Sequence, residues 1–260
     1  MILPGSYANG FAPRDGQPLY PELWRGCVGA WNPGLGPTGL TLRDWSGFGN
    51  HGTLTNMVPG EDWVASQGRY ALDFDGVNDW VSFSVPSLGS SAITLVARAR
   101  QSTNRADDHI VKMGTATLDN AFGIYKGFGA TTSHIFAGLH ANLASEVSVA
   151  VTATEWTHYA ATLTVSAVSL FVNGAFAATR TGSFSYSIGT TFGSIGAAQS
   201  VLVPWGGQIA DVSIYNRALS AFEIRLLASR RGIAYEMAPR RRSSFAVQFN
   251  RRRRLLLGST

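Results

Sequence analysis

Residues 205–229, WGGQIADVSIYNRALSAFEIRLLAS, constrain the fold more tightly than any other stretch of this chain. Ile209, Asp211, Ser213 and Tyr215 alternate with Ala210, Val212 and Ile214, so the spacing predicts a strand with one apolar face. A turn follows, and Ser220 stands three residues before Glu223. That spacing predicts a capping box, in which the serine hydroxyl accepts from the Glu223 amide and the glutamate reaches back to the Ser220 amide. Phe222, Ile224, Leu226 and Leu227 give the ensuing short helix an apolar side to bury.

Upstream the chain is a succession of short apolar runs separated by turns. The runs are predicted at residues 27–31, 69–75, 80–84, 92–100, 110–113, 121–125, 135–139, 147–151, 157–164, 169–172, 192–195 and 208–215. Asn173-Gly174 stands between two of the apolar segments and predicts a tight hairpin. With 29 glycines and no fixed-period repeat, the pattern favours two antiparallel sheets packed as a sandwich.

Five stretches carry a family resemblance. They are residues 44–52 (DWSGFGNHG), 71–81 (ALDFDGVNDWV), 155–160 (EWTHYA), 170–174 (LFVNG) and 215–227 (YNRALSAFEIRLL). In this order they resemble the laminin G-like, concanavalin A-like lectin/glucanase jelly-roll domains over roughly residues 27–229. The resemblance implies an all-β jelly roll of two antiparallel sheets with one short C-terminal helix. An extended arm (residues 1–26) is expected before the domain, and an Arg-rich extension (230–260) after it. The fold hosts lectins, adhesion modules, glycosidases and structural parts, so it does not by itself choose a function.

Charge is segregated. Residues 230–260 hold nine arginines against Glu236 alone, a net +8, while residues 1–229 hold twelve basic against fifteen acidic residues, a net −3. Such asymmetry reads as an electrostatic anchor. Arg240, Arg241, Arg242, Arg251, Arg252, Arg253 and Arg254 are the expected anchoring residues. Other protein subunits, in a homo-oligomer or a larger particle, are the expected partners. Phe245, Val247 and Phe249 alternate between the two arginine runs and need an apolar surface to cover them. Nucleic acid is the weaker reading, because the body carries no recognition motif. The Pro-rich start, with Pro4, Pro13, Pro18 and Pro21, reads as an arm laid across a neighbour.

The N-terminus lacks the charged start and apolar core of a secretory signal, and no stretch is apolar for the length of a membrane helix. A family that is mostly extracellular then implies release by lysis or display on a particle. The expected setting is a tailed-phage virion, with the protein as a decoration, fibre-base or adhesion component. Cys27 is the one cysteine, so no intrachain disulfide can form, and it reads as a small buried hydrophobe.

Candidate chemistry is sparse. Glycosidases of this fold set paired acids along one strand as Glu-x-Asp-x-Glu, and no such pattern occurs, so catalysis is not expected. Asp73 and Asp75 share a strand face with Asp79 across a turn; holding that turn is the first reading and a cation the second. No cofactor is required. A structural calcium is the one metal to consider, with Asp44, Asp75, Asp79 and Asp211 as donors; the resemblance implies Asp211, on the closing strand, as its anchor. His158 reads as a satisfied structural histidine. Glycan recognition, the alternative function, would use aromatic faces; Trp205, Trp63 and Trp80 lie in or beside predicted loops, whereas Trp31 and Trp156 read as core.

Overall fold

A computed structural model describes residues 18–236, apart from 85–87, 89–90, 103–107, 115–120, 128–133, 140–144, 153, 189–191 and 199–202. The anchoring arginines, residues 1–17 of the arm and the 244–249 alternation lie outside the described residues. Sixteen strands follow one another. The first eight are β1 (Cys27–Trp31), β2 (Thr41–Leu42), β3 (Gly52–Thr55), β4 (Trp63–Ser66), β5 (Arg69–Asp75), β6 (Trp80–Phe83), β7 (Ile93–Gln101) and β8 (His109–Gly114). The rest are β9 (Phe122–Lys126), β10 (His134–Leu139), β11 (Val147–Ala150), β12 (Thr157–Leu163), β13 (Ala167–Val172), β14 (Ala175–Thr181), β15 (Phe192–Ile195) and β16 (Gly206–Tyr215). A one-turn helix α1 (Pro59–Asp62) precedes β4, and α2 (Ala221–Ser229) follows β16.

Two eight-stranded antiparallel sheets form the sandwich. Sheet 1 runs β14-β13-β12-β7-β16-β5-β4, with β1 also on β16; sheet 2 runs β11-β10-β9-β8-β15-β6-β3-β2. Alternation drives the packing. Val81 and Phe83 of β6 and Ile209, Val212 and Ile214 of β16 point between the sheets, joined by Trp31, which is fully buried against Phe83. Asn173-Gly174 makes the predicted hairpin, both residues having positive φ (50° and 79°).

A second apolar cluster lies on the outer face of sheet 1. Cys27, Val96, Ala160, Phe171 and Tyr215 are covered there by Trp24, Leu219 and Ile224 of α2. Helix α2 starts on the predicted capping box. Its apolar side is narrower than the sequence suggests: Ile224 is buried, but Phe222 is 69% exposed because it faces away from the sheet.

Burial pushes the Glu223 carboxyl up, but hydrogen bonds from Arg217 and Ser220 outweigh it and hold it down at about 2, below its ordinary 4.5. A depressed carboxyl stabilises fully above its unfolded value and loses that contribution as pH falls from 4.5 towards 2. Glu223→Gln should therefore lower stability at pH 7 by about 1 kcal/mol, with the difference shrinking at pH 3, as read by urea unfolding at both values.

The body is larger than residues 27–229. Upstream, Leu23 and Trp24 are buried in a 3-10 turn (Pro21–Trp24). Downstream, a second 3-10 turn (Ile233–Tyr235) packs on them: Tyr235 meets the edge of Trp24, and the Trp24 indole donates to the Ala234 carbonyl at 2.8 Å. The Leu19 amide donates to the Glu236 carbonyl at 2.7 Å, so the two ends of the described body meet.

Candidate functional site

The outer face of sheet 2 carries an open pocket of about 310 Å³, lined by Asn50, His51, Thr53, Ser82, Ser84 and Phe192 along with Gly49 and Phe83. That volume is at the small end of ligand sites, which run roughly 300–1,000 Å³. Strand alternation builds it. With Val81 and Phe83 turned inward, Trp80 and Ser82 must face out. Thr53 pairs with Ser82, and Ser82 with Ser194, so small hydroxyl side chains run in a row across β3, β6 and β15. Trp80 and Phe192 flank that row as a tilted aromatic pair with ring centroids 5.6 Å apart. The row continues to Lys112 on β8, whose buried amine has no hydrogen-bond partner and is pushed down to about 8 by burial.

The lip of the pocket is the 44–52 motif. Asp44 is buried and accepts four hydrogen bonds: from the amides of Ala30, Ser46 and Asn50, each at 2.9 Å, and from the Ser46 hydroxyl at 2.7 Å. The Asn50 side chain donates to the Val28 carbonyl, and the Trp31 indole donates to the Asn50 carbonyl. His51 accepts from the Asp44 amide at 3.1 Å. Gly47 and Gly49 (φ 92° and 75°) supply left-handed backbone that lets so short a loop close. The lip is thus tied to β1 and to the core tryptophan behind it.

The predicted glycan platforms separate. Trp80 is half-buried on the pocket face. Trp205 is 1% exposed and Trp63 6%, the latter donating to the Gly39 carbonyl. Both rings are buried, so neither presents a face to a ligand. Trp156 corrects the opposite expectation: it is half-buried at the surface, with Arg231 and Arg100 over its ring at 5.0 and 5.9 Å. Phe192, Ser82 and His51, which line the pocket, escaped the sequence reading. The Trp80-Val81-Ser82-Phe83-Ser84 alternation could have exposed Ser82, but nothing in a short strand distinguishes an outward Phe192 from a core one.

The four carboxylates expected at a calcium do not converge. Asp44 spends its four acceptor positions on the lip. Asp75 accepts from the amides of Val77, Asn78 and Asp79, and Asp79 accepts from the Asp75 amide, so this pair holds the β5–β6 turn that delivers Trp80. Burial pushes Asp79 up to about 6. Asp211 sits on the other side of the sandwich at a bulge in β16, with φ 51°. There the guanidinium groups of Arg231 and Arg98 lie 3.7 and 3.8 Å from it. Two resident cations beside one carboxylate do not fit a calcium site. Among the described residues no cluster of three or more His, Cys, Asp or Glu side chains is placed to hold a metal.

His158 pairs with Arg98 across β12 and β7 and is 1% exposed, yet neither ring nitrogen is hydrogen-bonded. It is therefore buried without being satisfied, and burial together with Arg98 holds it down at about 3, so the ring is neutral. The cavity of about 20 Å³ beside it has room for a water molecule. Cys27 is buried, as its apolar surroundings predict.

A sequence model described as the concanavalin A-like lectin/glucanases superfamily matches residues 75–225, more than half of the chain. The chain belongs to this superfamily. No curated protein matches it in sequence. Among solved structures it is similar to domain 4 of AbnA, a GH43 extracellular arabinanase from Geobacillus stearothermophilus, in complex with arabinotriose. That match has a TM-score of 0.59 and 15% identity, covering 78% of this chain and 98% of that one. The binding domain of botulinum neurotoxin DC in complex with SialylT gives 0.60 and 11%, covering 79% and 52%. A Trypanosoma rangeli sialidase gives 0.59 and 18%, covering 81% of this chain but 34% of the sialidase. The chain thus spans about a third of that enzyme, and at these identities the likeness is one of fold. As a lectin/glucanase-like sandwich, the chain has neighbours captured with carbohydrate. Among the described residues no helix is long and apolar enough to cross a membrane.

Proposed function

We propose that this protein is a non-catalytic adhesion module that holds a glycan on sheet 2 and is anchored through its chain ends. The observation that carries this reading is the opposition of the two faces. Leu19 and Glu236 meet beside the Trp24 and Tyr235 cluster on the outer side of sheet 1, while the pocket opens on the outer side of sheet 2. A module fixed by its ends would turn the pocket away from its support. A particle such as a tailed-phage virion is the proposed support, with the arginine-rich end gripping acidic protein subunits.

The pocket's chemistry supports the glycan half. Hydroxyl and imidazole groups beside an aromatic ring are what a sugar's mixed polar and apolar faces require. The described residues that line the pocket include no carboxylate, whereas glycoside hydrolysis ordinarily uses two. The purified full-length chain, probed on a glycan array, should bind a subset of glycans and leave them uncut. Phe192→Ala should weaken that binding about tenfold, through loss of roughly 1.4 kcal/mol of ring contact, without moving Tm by more than a few degrees. Absence of binding to any glycan would overturn the recognition half; released sugar would overturn the non-catalytic half.

A further inference from the structure

The place where the family resemblance put a calcium holds a different kind of ligand. Arg231 is 8% exposed although it belongs to the basic C-terminal run. Its Nη1 donates to the Ser66 carbonyl at 2.7 Å and its Nη2 to the Tyr70 carbonyl at 2.6 Å, on either side of the β4–β5 turn. Its Nε lies 3.7 Å from Asp211 Oδ2, and its Cζ lies over the Trp156 ring, 5.0 Å from the centroid. Two carbonyls that accept hydrogen bonds, a carboxylate within ion-pair distance and an aromatic ring therefore surround one planar cation. Arg98 stands behind, 3.8 Å from the same carboxylate, and donates to the Ala228 carbonyl at the C-terminal end of α2.

A spherical divalent ion wants roughly six to eight oxygens and repels a neighbouring guanidinium. A guanidinium wants a few acceptors in its own plane and a ring to lie on. The observed set matches the second requirement. We propose that this cage is a guanidinium-binding site filled from within by Arg231, which makes residues 230–236 a tethered ligand of the sandwich and removes any place for calcium at Asp211. The site fixes where the chain end leaves the body, since Gly232 turns (φ 71°) directly after Arg231 and Glu236 meets Leu19 four residues later.

The test uses the full-length chain and thermal unfolding. Wild-type Tm should be the same in calcium and in a calcium chelator. Arg231→Ala should lower Tm by on the order of 10 °C. Millimolar methylguanidinium should restore part of that loss, while methylammonium and calcium should not. Should the alanine variant not fold, Arg231→Lys keeps the charge without the fork and should show a smaller loss, again blind to calcium. A rise in wild-type or variant Tm with calcium, absence of rescue by methylguanidinium, or a lysine variant as stable as wild type would each overturn the assignment.

Discussion

A chain ending at Ser229 should melt at least on the order of 10 °C below the full-length protein, whereas one ending at Glu236 should melt with it. The difference lies in seven residues. They carry Ile233, which is 3% exposed, Tyr235 against the Trp24 ring, and the Ala234 carbonyl that satisfies the Trp24 indole. They also carry the Arg231 guanidinium. Without it, burial still pushes Asp211 up while only Arg98 and Arg69 remain to offset the cost. Breaking a buried ion pair costs about 3–5 kcal/mol, and an orphaned buried donor about 1–3 kcal/mol. A domain of this size loses roughly 2–4 °C per kcal/mol. The chain ending at Glu236 lacks Arg240, Arg241, Arg242, Arg251, Arg252, Arg253 and Arg254 but keeps every one of these contacts. It should fold, bind glycan as before, and fail to join its support. Light scattering of the two truncations alongside the full chain separates the roles. A chain ending at Glu236 that melts well below wild type would make the basic tail part of the fold rather than the anchor.

The strands with clean alternation were legible because each has one face in the core. In β6, and in β16 after its bulge at Asp211, the apolar and polar residues sort by side, and the Ser220 and Glu223 pair marked the start of α2. The short strands β2, β3 and β4 left little trace, because two to four residues cannot show a period. Burial of individual large residues was harder still. Trp205 beside Pro204 and Gly206 has the same local sequence whether its ring is buried or exposed, and only tertiary packing decides. Arg231 was hidden by its company. A run of arginines reads as an anchor for a partner, and the one that turns inward is distinguished by Asp211, twenty residues away, and by backbone carbonyls that no side-chain pattern records. The pocket was half legible for a related reason. Its lip is the 44–52 motif, whose spacing shows in sequence, but its floor is assembled from three strands that meet only in the sheet.

Asp44 joins these two halves, and Asp44→Asn should cost about 2–4 kcal/mol of stability and abolish glycan binding together. Four donors converge on the carboxylate, two on each oxygen: Oδ1 takes the Ala30 and Ser46 amides, and Oδ2 takes the Asn50 amide and the Ser46 hydroxyl. Asparagine keeps one acceptor oxygen and replaces the other with an NH2 that points at donors. At least one buried amide then loses its partner and meets another donor. If the amide group turns to serve Ala30 and Ser46, the loss falls on Asn50, which lines the pocket, passes the strain to the Trp31 indole through its carbonyl, and precedes His51. If it turns the other way, β1 loses its tie to the loop at Ala30. Either way the lip moves relative to the Ser82 floor, so binding should fall further than the lost stability alone predicts. Phe192→Ala supplies the contrast: it removes a contact from the same pocket and leaves Asp44 untouched. Urea unfolding and the glycan array, run on both variants at a temperature where each is folded, give the comparison. An Asp44→Asn protein that is destabilised yet binds like wild type would place the glycan away from this lip.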